Sequence, residues 1–248
     1  MTNHTGDGGR NERFPETRWS LIVASCSDEP EQRHRALDTL IAAYWRPVYK
    51  YIRIHWNKES EDAKDLTQDF FAWLLEKDSL AKYDPAKARL RTYLRMCVDG
   101  MVSNQSKAAQ RLKRGGGASV LSLDFPSAEN EIAQIDIASP FDIEEFFAKE
   151  WVRSLFALAV EKLKSECSLN GKDACFRVWE FYDVEDGGND VTYAELAERF
   201  RIKPTDVTNY LAYARRQLRR ILLEQLREMT ASDEEFRREA NVLLGVDL

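Results

Sequence analysis

The sequence predicts an all-α fold: two helical domains joined by a flexible acidic linker, the C-terminal one containing a helix-turn-helix. Three observations predict it. Apolar residues recur at three-and-four spacing along most of the chain, without a convincing alternating pattern of the kind a strand needs. A basic run, RLKR, halts at three consecutive glycines, Gly115, Gly116 and Gly117. Near the C-terminal end, a T-x-x-E capping signal, a short turn and a proline-led helix follow one another.

The chain has 248 residues, 44% hydrophobic and 31% charged, a length that suits one or two domains. The expected division is a disordered lead over 1–15, an N-terminal helical domain over 16–114, a linker over 115–140 and a C-terminal domain over 141–248. Apolar runs such as SLFALAV are far too short to span a bilayer. The opening MTNHTGDGGRNERF lacks the apolar core of a signal peptide, so a cytoplasmic location without membrane contact is expected. Cys26, Cys97, Cys167 and Cys175 contain no CxxC spacing, and His4, His34 and His55 do not pair with them. They read as free thiols, with no metal site and no cofactor.

Net charge is −6, which taken alone argues against nucleic acid. Its distribution matters more than its sum. Arg89, Arg91, Arg95, Lys107, Arg111, Lys113 and Arg114 are opposed only by Asp99. Arg199, Arg201, Lys203, Arg215, Arg216, Arg219 and Arg220 are opposed only by Asp206. Between them, Asp124, Glu129, Glu131, Asp136, Asp142, Glu144, Glu145 and Glu150 are opposed only by Lys149. The order is basic, acidic, basic.

The elements follow in turn. TRWSLIVAS, from Thr17, reads as a short opening helix. Leu37, Leu40, Ile41, Tyr44, Val48, Tyr51, Ile52 and His55 form one stripe of the next helix, with a kink or break expected just before Pro47. SEDAKDLTQDFFAWLLEK opens at Ser60 as N-cap and buries Ala63, Leu66, Phe70 and Leu74. Asp62, Asp65, Gln68, Asp69 and Glu76 point elsewhere. A long helix from Arg89 carries a basic tail that the glycines end. Ala118 to Pro140 lacks periodicity and reads as the linker.

In TYAELAERFRIKPTDVTNYLAYARRQLRR, Thr192 and Glu195 make the capping box and Arg201-Ile202-Lys203 the turn. Pro204 sits in the first turn of the next helix. Val207, Leu211, Ala214, Leu218 and Leu222 face inward. Thr205, Asp206, Thr208, Asn209, Ala212, Tyr213 and Arg216 face out. Such a face suits duplex DNA: short polar groups reach base edges, and Arg215, Arg216, Arg219 and Arg220 neutralise phosphates. Tyr83, Tyr93, Arg89, Arg91 and Arg95 combine rings with cations, as single-stranded DNA requires, although such aromatics are more often core.

TRWSLIVAS, AYWRPVYKYIR, EDAKDLTQDFFAWLLEKDSLAKYDPAKARLRTYL, QRLKRGGGASVLSLD and the terminal helix-turn-helix together resemble a bacterial RNA polymerase sigma factor of the extracytoplasmic-function (ECF) type, in a long-linker variant. EDAKDLTQDFF is the most specific piece. The resemblance implies that Asp65, Leu66, Gln68, Asp69 and Phe70 form the helix that docks on the polymerase clamp, Leu66 and Phe70 mostly by packing. It assigns the minus-ten promoter element to Arg89, Arg91, Tyr93, Arg95, Asn104, Lys107 and Arg111. It assigns the minus-thirty-five element to Thr205, Thr208, Asn209, Tyr213, Arg215, Arg216 and Arg219. Asp99 and Gly100 depart from the family, which usually has Arg and Asn there.

The implied partners are core RNA polymerase, promoter DNA in duplex and locally melted form, and an anti-sigma factor or other regulator. The implied activity is transcription initiation: promoter selection and strand separation, with no catalytic residue of its own. A stand-alone helix-turn-helix regulator is the alternative, and a protein-binding helical adaptor a further one. The tail SDEEFRREANVLLG reads as a cap for the last domain, on the placement of Phe236, Ala240, Val242, Leu243 and Leu244.

Overall fold

The computed structural model describes residues 24–25, 27–75, 80–108, 123–135, 142–185, 191–230 and 232–245, without the side chains of 105–108. The expected helix from Thr17 lies outside these residues except for Ala24 and Ser25, which are helical. Every regular element described is helical.

Helix α1 is Pro30–His55 and buries the expected stripe except His55, which is exposed. It runs through Pro47, against the expected break. Proline forfeits one backbone hydrogen bond there, but Ala43, Tyr44, Trp45, Pro47 and Val48 are all buried, and that packing holds the helix on course. Helix α2, Ser60–Leu74, has Glu59 rather than Ser60 at its N-cap. The Ser60 hydroxyl instead lies 3.1 Å from the Tyr49 hydroxyl. A single 3-10 turn, Leu80–Lys82, leads to α3, Leu90–Ala108.

The expected linker contains a helix. Helix α4, Phe125–Ile132, is capped by Asp124, whose carboxylate accepts from the Ser127 amide. Its short length hid it from periodicity: only Phe125 and Ala128 are buried. Its acidic side chains meet a basic stripe on α1. Arg53 donates to Glu129 through Nε at 2.6 Å and Nη2 at 3.1 Å. Arg46 pairs with Glu131, and Lys50 Nζ reaches Glu131 at 2.5 Å. The segment thus packs as part of the fold over these residues.

Helix α5, Ile143–Leu169, starts at the N-cap Asp142. Then come α6, Asp173–Trp179, a π-helical turn, Glu180–Glu185, and α7, Tyr193–Phe200. Helix α8 is Pro204–Glu228, and α9 is Asp233–Leu244. Among the described residues no helix is long and apolar enough to cross a membrane.

Two hydrophobic cores result, and they do not divide at the expected linker. The first joins α1, α2, α3 and α4 with Phe147, Trp151 and Leu155 of α5, and also with Leu226, Met229 and Ala240. The second gathers Ala159, Leu163 and Cys167 of α5 with α6, α7 and α8. Helix α5 is therefore shared, its first half in one core and its second half in the other. Beside the first core, Lys50 of α1 and Glu150 of α5 form an ion pair with side chains only 1% and 2% exposed. Arg153 adds a second cation to Glu150.

Candidate nucleic-acid interface

Helix α7 opens with both halves of the capping box. The Glu195 amide donates to Thr192 Oγ1 at 3.3 Å, and the Thr192 amide donates to Glu195 Oε2 at 2.7 Å. The Thr192 amide and hydroxyl both donate to the Glu195 carboxylate and hold it below its usual range. Arg201 closes the helix in the left-handed region, at φ 52°. The Ile202 amide then reaches the Ala197 carbonyl at 2.9 Å, and the chain enters α8 at Pro204.

Helix α8 buries Val207, Leu211, Ala214, Leu218 and Leu222, as the spacing predicts. Thr205, Thr208, Asn209, Ala212, Arg216 and Arg219 are exposed along one stripe. At 1.5 Å per residue, Thr205 to Arg219 spans about 21 Å. Asp206 and Tyr213 are half-buried rather than open. Lys172 Nζ stands 3.8 Å from the Tyr213 ring centroid, adding a cation from the α5–α6 turn. No local pattern marks Lys172, because its neighbour is distant in sequence.

Arg215, Arg216, Arg219 and Arg220 of this helix are not equivalent. Arg215 donates to Asp183 through Nε at 2.7 Å and Nη2 at 2.6 Å, a bidentate pair. Asp183 sits on the π-helical turn that follows α6, and its bonding raises the Arg215 pKa. Arg220 pairs with Glu166 and Glu224. Among the described residues Arg216 and Arg219 have no ion pair. Two of the four cations thus keep their full charge for a ligand.

Helix α3 is different. Arg91 donates to Glu239 Oε2 of α9 at 2.5 Å, and Arg89 lies 2.9 Å from the other carboxylate oxygen. The Arg91 guanidinium also stacks 5.2 Å from the Trp151 ring centroid. Arg95 donates to Asp99 at 2.9 Å. Tyr93 and Tyr83 pack against each other, with ring centroids 5.3 Å apart, on the margin of the first core. Burial pushes the Tyr93 hydroxyl up to about 12, helped by Cys97. The exposed stripe of α3 is Met96, Gly100 and Asn104. The side chain of Lys107 and the whole of Arg111 lie outside the described residues.

On α2, Leu66 and Phe70 are buried, with Ala63, Thr67, Phe71 and Leu74 beside them. Asp65 and Asp69 are exposed and Gln68 is half-buried. The helix therefore shows solvent an acidic face and fixes it by an apolar one.

Comparison with protein-family models, with curated proteins and with solved structures finds no match. The chemistry of the site therefore rests on the geometry above. Cys97 is half-buried, and Cys167 and Cys175 are buried as free thiols whose pKa values burial raises. Among the described residues no cluster of His, Cys, Asp and Glu suits a metal ion.

Leu243 and Leu244 of the tail pack against the second core, as the expected cap would, but the tail also reaches the first core. Ala240 enters the first core and Glu239 is buried, while Leu243 contacts both cores. Val242 is 70% exposed. Helix α9 thus bridges α8 and the first core. Its role escaped the sequence because Glu239 reads locally as one more surface acid.

Proposed function

We propose that this protein is an initiation factor of the ECF sigma type. It binds core RNA polymerase through α2, directs it to promoters through α8 and assists strand separation through α3. The observation that carries the reading is the division of α2, in which Leu66 and Phe70 are buried while Asp65 and Asp69 face solvent. A docking helix needs that division: the apolar side anchors it and the exposed acidic side suits a cationic partner surface. The exposed α8 stripe supports the DNA side, since Thr208 and Asn209 suit base edges and Arg216 and Arg219 suit phosphates.

The test is co-purification with the cognate core RNA polymerase, comparing wild type with Asp65→Ala/Asp69→Ala. Stable binding by wild type, lost in the folded double variant, is the expected result. Failure of folded wild type to bind the core enzyme rejects the reading.

One observation favours a second reading, a regulator that binds duplex DNA without polymerase. Arg89, Arg91 and Arg95 are all paired internally, whereas Arg216 and Arg219 carry no ion pair among the described residues. This reading keeps the α8 function and predicts no effect from the Asp65 and Asp69 substitutions.

A further inference from the structure

The deepest unusual contact of α9 is its carboxylate. Glu239 is 4% exposed; its Oε2 accepts from Arg91, and Arg89 stands 2.9 Å from Oε1 as an ion pair without hydrogen-bond geometry. A carboxylate between two guanidiniums has the charge and oxygen spacing of a backbone phosphate in the same place. Arg89 immediately precedes α3 and Arg91 lies in its first turn, and the carboxylate comes from the last described helix. Only the folded chain brings them together.

We infer that α9 is a removable clasp, with Glu239 standing in for a nucleic-acid phosphate on the Arg89–Arg91 pair. This rests on the reading of α3 as a DNA-contacting helix. In the closed state the carboxylate offsets one of the pair's two positive charges and occupies the place between them, so single-stranded DNA finds a weaker and blocked site on this side of α3. Displacing α9 frees both guanidiniums together, so one movement opens a site for one phosphate.

The attachment of α9 suits such a movement. It is 12 residues long, and its buried residues are Glu239 and Ala240. Phe236 lies under the Arg227 guanidinium, 4.8 Å from ring centroid to charge, and Arg227 also pairs with Asp233. A short helix with so small a buried face is drawn from the low-stability end of a fold. Its opening uncovers Ala240 and the partly buried Phe236, Leu243 and Leu244, and it breaks the Arg89–Glu239–Arg91 contact, which a phosphate replaces in kind.

The experiment measures binding of a labelled single-stranded DNA to the full-length protein by fluorescence anisotropy. It compares wild type, Glu239→Gln and Arg227→Ala, with amide exchange of α9 followed in each. Glu239→Gln keeps the size of the side chain and removes its charge. Arg227→Ala loosens α9 while leaving Glu239, Arg89 and Arg91 intact, so it serves if the first variant fails to fold. The expected result is faster exchange in α9 and roughly tenfold tighter binding by Glu239→Gln, with a smaller gain by Arg227→Ala. The gain should vanish when Arg89→Ala/Arg91→Ala is added.

Faster exchange with unchanged DNA affinity overturns the clasp. If wild type still binds duplex DNA through Arg216 and Arg219 in that case, the DNA-binding reading survives it. Absence of DNA binding, single-stranded or duplex, by every folded variant overturns both.

Discussion

The Tyr51 hydroxyl donates a 2.6 Å hydrogen bond to the Asp99 carboxylate, tying the C-terminal end of α1 to the middle of α3. The same carboxylate accepts from Trp56 Nε1 at 3.1 Å and from Arg95 Nη1 at 2.9 Å. Burial, and then the bond to Asp99, raises the Tyr51 pKa, so the phenol stays a neutral donor. Asp99 is where the resembled family usually has an arginine. An arginine here faces Arg95 and leaves both the phenol and the indole without their acceptor. The departure therefore has a structural account: Asp99 is the hub of the α1–α3 contact.

Asp99→Ala is expected to lower stability by about 2–3 kcal/mol, the cost of removing a charged acceptor from partly buried donors. Asp99→Arg should be worse than alanine, because it adds repulsion. Urea unfolding of the variants checks the order. An arginine variant as stable as wild type would remove Asp99 from this role.

Lys50 and Glu150 make a second hub, between α1 and the first half of α5. Losing one member of a buried pair strands the other charge. Lys50→Met should cost about 3 kcal/mol, at the low end for such breaks because Arg153 still faces Glu150. Lys50→Met/Glu150→Leu should be less harmful than the sum of the single changes. A double-mutant cycle measures the difference.

Arg215 and Arg216 are neighbours with different partners, and their substitutions should separate. Arg216→Ala should weaken duplex DNA binding about equally for any sequence and lower the salt slope by about one. Arg215→Ala should act less on DNA and also loosen the π-helical turn, by up to about 1 kcal/mol for so exposed a pair. Anisotropy across a salt series, with a thermal melt of each variant, tests both.

Acid should release α4. The Arg53 guanidinium holds the Glu129 carboxyl below its ordinary value of 4.5, against the opposing effect of burial, and Tyr49 donates to the same group. A depressed carboxylate contributes stability that is fully present above its unfolded value and is lost as pH falls through the folded one. The window therefore opens near pH 4.5 and runs downward. Trp45 lies 5.7 Å from the Phe125 ring, so its fluorescence should report the loss. Glu129→Gln should flatten that acid limb. An unchanged limb would show that Glu129 does not hold α4.

Much of the helical layout was legible in the sequence. The inner stripes of α2 and α8 were readable because three-and-four spacing shows one face over several turns. The capping box of α7 was readable because Thr192 and Glu195 are three residues apart. Helix α4 was not, since Phe125 and Ala128 are too few to set a period. The break at Pro47 was expected from a local rule that packing overrode. On the site, the exposed α8 stripe followed from helix geometry, whereas the pairing of its arginines did not.

By itself, then, the chain determined where helices form and which faces they bury, because those depend on neighbours within a turn or two. Tertiary structure alone decided which charges remain open. Arg91 is spent on Glu239, 148 residues away, and Arg215 on Asp183, 32 residues away, while Arg216 meets no such partner among the described residues. An ion pair needs proximity in space, and only the folded chain brings such distant charges within reach of one another.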